Sequence, residues 1–129
     1  MREILSAKAL PKPKFRYSPC VKAGPFYQMA GMIALDPVTA KLAEGGPRHE
    51  TTVILNNLKG ALAEWGLSLE DLVSATIYTT RFDDFPLINQ AWEEVFHAGV
   101  TPPARTSIGV AALPLGATVE IEFRAYKAS

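Results

Sequence analysis

The sequence predicts an α+β fold, a mixed six-stranded sheet with two helices packed on one face. Three observations predict it. Two stretches repeat apolar residues at steps of three and four, a stretch that alternates apolar with polar residues separates them, and two further alternating stretches close the chain. Strands interleaved with helices in this order build β-helix-β units, whose helices must lie on the sheet to bury their apolar stripes.

Arg2 to Ala7 reads as a short strand, and prolines at 11, 13 and 19 exclude helix from the connection after it. Cys20 to Lys22 and Phe26 to Leu35 read as two strands joined by a tight turn at Ala23-Gly24-Pro25, with Asp36-Pro37 ending the second. A loop through Gly45-Gly46 follows, and Pro47 suits the first turn of a helix. From Arg48 to Trp65, Ile54, Leu55, Leu58, Leu62 and Trp65 mark an amphipathic helix, which Gly66 caps with Leu67 as the apolar contact beyond the cap. Leu72 to Thr80 is a strand in which Val73, Ala75 and Ile77 alternate with Ser74, Thr76 and Tyr78. Asp83 or Asp84 starts a second helix, with Phe85, Ile88, Trp92, Val95 and Phe96 as its buried stripe and Gly99 closing it. Ala104 to Val110 and Ala117 to Lys127 are the closing strands, parted by a turn at Leu113-Pro114-Leu115-Gly116.

A chain of 129 residues is expected to form one domain, 1–129, with a real core and little left for a second. Its 48% hydrophobic and 20% charged residues place it among soluble globular proteins. No apolar run approaches the ~20 residues of a membrane span, and Met1 to Pro11 lacks a secretory apolar core, so a cytoplasmic protein is expected. The single Cys20 cannot form an internal disulfide, and with the distant His49 and His97 it makes no zinc pattern, so no metal is expected. Zero net charge offers no global case for a nucleic-acid or membrane partner. The first 24 residues are uneven, holding Arg2, Lys8, Lys12, Lys14, Arg16 and Lys22 against Glu3 alone. Such an arm either grips phosphates or, as charge runs more often do, stays solvated or complements acidic surface.

The chemistry is concentrated near the C-terminus. Pro102-Pro103-Ala104-Arg105-Thr106-Ser107-Ile108-Gly109-Val110 sets an arginine in an apolar strand, and Val119-Glu120-Ile121-Glu122-Phe123 sets a carboxylate in the next. A guanidinium partly withdrawn from water needs an internal carboxylate or an anionic ligand. Arg105, Ser107 and Gly109 share one face of their strand. On the last strand Val119, Ile121, Phe123 and Ala125 lie opposite Thr118, Glu120, Glu122, Arg124 and Tyr126. Two readings stand side by side. One is a pocket holding Arg105 and Glu120, a fork for a carboxylate and a base for a water; the other is a salt bridge between them that serves packing. Tyr17 is a pocket wall or a half-buried anchor. Glu122 either tunes Glu120 or belongs to a solvated row. Asn89 is left to local backbone bonding, Cys20 reads as a small buried hydrophobe, and His97 suits a helix end. No Gly-x-Ser-x-Gly elbow of a hydrolase occurs.

The run Pro103-Ala104-Arg105, through Ile108, Val110 and Leu113 to Val119-Glu120-Ile121-Glu122, resembles the C-terminal signature of the RidA/YjgF family of enamine/imine deaminases. Similar blocks are Tyr17-Ser18-Pro19 with Val21-Lys22-Ala23-Gly24, Ala30-Gly31 with Asp36-Pro37, and Asn56-Leu58 with Leu62, Gly66 and Asp71. Thr76 through Asp84-Phe85, Asn89 and Phe96 continues them, so the resemblance runs along nearly the whole chain. It implies a chorismate-mutase-like fold, a homotrimer with a barrel-like core, and ligand pockets between neighbouring subunits. It also implies deamination of short 2-enamines and 2-imino acids, such as 2-aminoacrylate and 2-aminocrotonate, to 2-keto acids and ammonia, without metal or organic cofactor. In that scheme Arg105 holds the substrate carboxylate, Glu120 positions water, Gly31 and Ser107 help hold the ligand, and Tyr17 lines the pocket. Two departures stand out. Well-studied members have Ser-Gly-Gln where this chain has Ala30-Gly31-Met32, and many have Ser-Cys where it has Thr106-Ser107. The resemblance leaves two alternatives, a non-catalytic trimer that binds small keto acids or anions, favoured by Ala30 and Met32, and the endoribonuclease or translation-inhibitor activity also attached to the family, for which the basic arm is the only support.

Overall fold

Residues 1–128 are described by the structure, a computed structural model. Strict alternation makes the last strand, β6 (Val119–Tyr126), the backbone of the fold. Val119, Ile121, Phe123 and Ala125 are all but inaccessible to solvent, while the residues between them face away from the core. Two strands flank it, both antiparallel: β3 (Phe26–Met29) and β4 (Leu72–Thr79). β1 (Arg2–Leu5) and β2 (Cys20–Ala23) extend the sheet on the β3 side, and β5 (Ala104–Gly109) completes it beyond β4, in the order β1-β2-β3-β6-β4-β5.

The helices follow from their apolar spacing. α1 (Gly46–Glu64) connects β3 to β4, and α2 (Phe85–Val95) connects β4 to the parallel β5. Ile54, Leu55, Leu58 and Leu62 of α1 and Ile88 and Trp92 of α2 join the buried face of β6 in one core, so both helices lie on the same side of the sheet. Gly66, at φ +73°, ends α1 as expected. Its N–H donates to Ala63, the Leu67 N–H donates to Leu62, and Leu67 packs into the core. A buried carboxylate, Glu50, ties α1 to the start of β6 by accepting from the Thr118 N–H (2.9 Å), the Thr118 hydroxyl (2.7 Å) and the Val119 N–H (3.3 Å). Without such donors its burial would be costly.

Two expectations need correction. The strand expected from Phe26 to Leu35 stops at Met29, after which Met32 and Leu35 make only single ladder pairs. Gln28 pairs with Arg124 but Met32 pairs with Ile121, so four steps on one side match three on the other. One extra residue bulges out, and the buried parity moves from Tyr27 and Met29 to Met32 and Ala34. A second bulge, between Leu72 and Ser74, exposes Val73 and buries Leu72 in its place. α2 starts at Phe85 with Asp84 as its N-cap residue, as expected, and Phe82–Asp84 forms a 3-10 turn ahead of it.

Candidate functional site

The bulge after β3 shapes the first half of the site. It carries Ala30 and Gly31 across the sheet face opposite the helices, between the Ala30 N–H, which donates to the Pro19 carbonyl, and Met32, which exchanges both backbone hydrogen bonds with Ile121. Gly31 thereby lies against the neighbouring Glu120. A Cβ at position 31 would collide with the Glu120 carboxylate and lie only 3.0 Å from its Cδ. The close approach, and not a special backbone angle, is what requires glycine here.

Glu120, Gly31 and Tyr17 line one cleft of about 520 Å³. Its walls are largely apolar, from Leu10, Pro19, Ile33, Leu35, Pro114 and Leu115. Burial among them pushes the Glu120 pKa upward, and the nearby Glu122 carboxylate adds to the shift. Glu122 is itself engaged, accepting from the Tyr78 hydroxyl (2.7 Å) and from Arg124 (3.1 Å), so it is no freely solvated row. Met32 contributes to the cleft floor but packs mainly in the core.

Arg105 lies elsewhere. In the parallel ladder it is level with the buried Ala75, which puts its side chain on the helix side of the sheet. There its guanidinium carbon sits 5.4 Å from the Phe85 ring centre and 5.2 Å from that of Trp92. Phe85 and Trp92 are seven residues apart on α2, so they share a stripe and present two rings to one cation. Partial burial lowers the Arg105 pKa, opposed by the Glu93 charge, and the group stays cationic at neutral pH. Among the described residues it forms no ion pair. Ser107 and Gly109 follow it along the same face, level with Ile77 and Thr79.

Glu120 pairs with Tyr78 on the opposite face. The structure therefore brings Glu120, Gly31 and Tyr17 together and sets Arg105 and Ser107 apart from them. This corrects the reading of a pocket holding Arg105 and Glu120 within one chain, and equally the reading of a salt bridge between them. The sheet itself stands between the two side chains.

Reasoning from sequence missed two contributors. The pattern of α2 marks Phe85 and Trp92 only as core, although their i and i+7 spacing also signals a shared stripe that can present two rings to Arg105. Lys12 and Lys14 of the basic arm line the cleft while remaining exposed to solvent.

A family model described as Endoribonuclease L-PSP matches residues 7–127. A RutC family protein of Pyrococcus horikoshii is 37% identical over 98% of this chain and 99% of its own. A 2-iminobutanoate/2-iminopropanoate deaminase of Dermatophagoides farinae is 34% identical over 94% and 93%. The crystal structure of YyfA from Yersinia pestis, a protein of unknown function in the conserved Rid protein family, superimposes with a TM-score of 0.92 at 28% identity, covering 98% of this chain and 100% of that one. The chain belongs to the RidA/YjgF family, and its sheet with two helices on one face is the family's fold.

Proposed function

We propose that the protein is a hydrolytic deaminase of short 2-imino acids, acting as a homotrimer in which Glu120 of one copy meets Arg105 of the next. The observation that carries this reading is the Glu120 carboxylate, seated on Gly31 in a cleft lined by Tyr17 and raised in pKa by its burial. A carboxylate whose proton affinity is raised by burial suits taking a proton from water and giving it back. Its natural complement is a cation for the substrate's carboxylate, and Arg105 is such a cation, held on two rings and in no ion pair among the described residues. The deaminase name of one relative supports the same reaction.

In this scheme the guanidinium binds the substrate carboxylate bidentately and presents the adjacent imine carbon to a water on Glu120. As water adds to the carbon, Glu120 takes one proton from it and returns it to the nitrogen. Glu120 then takes the hydroxyl proton of the carbinolamine and passes it to the nitrogen, and as the C–N bond breaks and the C=O bond forms, ammonia leaves and the 2-keto acid remains. Imine and water are consumed, keto acid and ammonia are formed, and no redox step intervenes. The Ser107 hydroxyl, on the Arg105 face, supplies a further donor for the carboxylate. Because free imines hydrolyse unaided, only a modest barrier reduction is needed, each ~1.4 kcal/mol being worth tenfold.

The test is ammonia release when a dehydratase supplies 2-aminoacrylate or 2-aminocrotonate. The protein is expected to speed release, and Arg105→Ala to abolish the effect while the fold persists by circular dichroism. Full activity in that variant rejects the assigned role.

A further inference from the structure

We propose that Tyr78 and Arg124 are positioning residues for the reaction, tying the Glu122 carboxylate to the β4 side of the sheet so that Glu120, and not Glu122, takes the proton from water. This rests on the deaminase reading of Glu120.

Glu120 and Glu122 stand two residues apart on β6, on the face of the sheet opposite the helices. Carboxylates this close repel, so a proton arriving at the pair settles first on one of them. The neighbouring strands divide the two. Glu120 leans on Gly31, on the β3 side of β6, whereas Glu122 is drawn towards β4. Tyr78 lies opposite Glu120 in the ladder, yet its hydroxyl reaches diagonally and donates to Glu122 Oε1 at 2.7 Å. Arg124 Nη2 donates to the same oxygen at 3.1 Å. Arg124 is held in its turn, Nη1 donating to Ser74 Oγ at 3.2 Å and to Thr76 Oγ1 at 3.5 Å.

Donors aimed at a carboxylate favour its charged form over its protonated one, more so when one donor is a cation. Tyr78 stays a donor, because its bond to Glu122 raises its own pKa. Glu120 is seated instead among apolar walls, where burial and then the Glu122 charge raise its pKa. Tyr17, Lys12 and Lys14 line the same cleft, and in the proposed assembly Arg105 of the next copy faces Glu120 as well. All of these are unchanged in the variants below, which alter only the groups around Glu122. The tied Glu122 serves as a fixed negative charge beside the base. A proton lodged there would be out of reach of the substrate nitrogen, so steering it to Glu120 keeps it available for return.

The experiment titrates the intact protein, isotope-labelled at its glutamate carboxyls, by NMR, alongside the pH profile of kcat/KM on 2-iminobutanoate. As pH falls, Glu120 is expected to take up a proton before Glu122 does. In Tyr78→Phe, which keeps the ring and loses the hydroxyl, the two carboxyls should share that proton, and Arg124→Gln added to it should extend the effect. In turnover, Glu122→Gln should carry the acid limb to lower pH, because the repulsion on Glu120 is gone. Tyr78→Phe should carry it part of the way in the wild type and no further in the Glu122→Gln background. The proposal is overturned if Glu122 takes the first proton in the wild type or if Tyr78→Phe leaves the order and the limb unchanged. A Tyr78→Phe shift that persists without Glu122 also overturns it. If no imine is accelerated, the deaminase reading fails, and the order of the two titrations still upholds or overturns the tie.

Discussion

The Glu120 carboxylate rests directly on the backbone of Gly31, at a distance no Cβ would permit. Two segments remote in sequence meet there because a bulge after β3 brings the chain back to Ile121 one residue out of step. Gly31→Ala must therefore move either the loop or the acid. The atoms in the way belong to the far end of a flexible side chain, so the expected result is a small change in stability together with a fall in kcat of at least about tenfold from a displaced base. Denaturant unfolding and the coupled ammonia assay measure the two separately.

Glu120→Gln is expected to abolish activity without destabilising the fold at neutral pH. Burial, then repulsion from Glu122, raises the folded-state pKa of Glu120. The folded protein thus holds this proton more tightly than the unfolded chain. Its contribution to stability is complete below the unfolded-state value, near 4.3, and is lost as pH rises through the raised folded value. Glutamine does not titrate, so the variant should match the wild type in acid and gain on it as pH rises through that window. Denaturation midpoints along a pH series will show this, and the acid limb of wild-type kcat/KM should lie above the ordinary glutamate range.

Arg105→Lys keeps the charge but loses the planar fork and its stacking on Phe85 and Trp92. An exposed cation-π contact is worth about 0.5–1 kcal/mol, so stability should barely change. The kcat/KM should drop about tenfold or more, largely through KM, because the carboxylate is then gripped at one point instead of two. Steady-state kinetics on 2-iminobutanoate decide it.

Glu64→Gln should loosen the segment that leads into the cleft wall. The N–H groups of Lys8, then Ala9, hold the Glu64 pKa below its usual value. A depressed folded value means that this contribution is present above the ordinary carboxylate range and is lost as pH falls through the depressed one. Hydrogen-exchange protection of the Lys8 and Ala9 amides should decrease in the variant, and in the wild type on acidification.

Much of this arrangement is legible in the residues. Ile54 through Trp65 with Gly66 specifies α1 and its cap, and the alternation from Val119 to Ala125 specifies which face of β6 is buried. The two bulges are not legible. Val73 and Leu72 are both apolar, as are Met29, Met32 and Ile33, so a one-residue slip leaves no trace in the hydrophobic pattern, and only pairing across the sheet decides the parity. The same holds for the site. Arg105 and Glu120 are identifiable by residue type and by their motif, and each has a face on its own strand. Whether the two faces coincide depends on β5 pairing with β4 and not with β6, which no single strand encodes. Lys12 and Lys14 are exposed, as a solvated arm implies, and the cleft they also line is not legible in their spacing because it is assembled from distant segments.

The central claim is that one active site takes Arg105 from one copy and Glu120 from another. Co-expression of Arg105→Ala and Glu120→Gln chains under two different tags, with isolation of the mixed assemblies, tests it directly. Each variant alone should be inactive. Every mixed trimer holds two chains of one kind and one of the other, so about one site in three joins an intact arginine to an intact glutamate, and about a third of wild-type ammonia release should return. Mixed assemblies that stay as inactive as their parents would contradict the account.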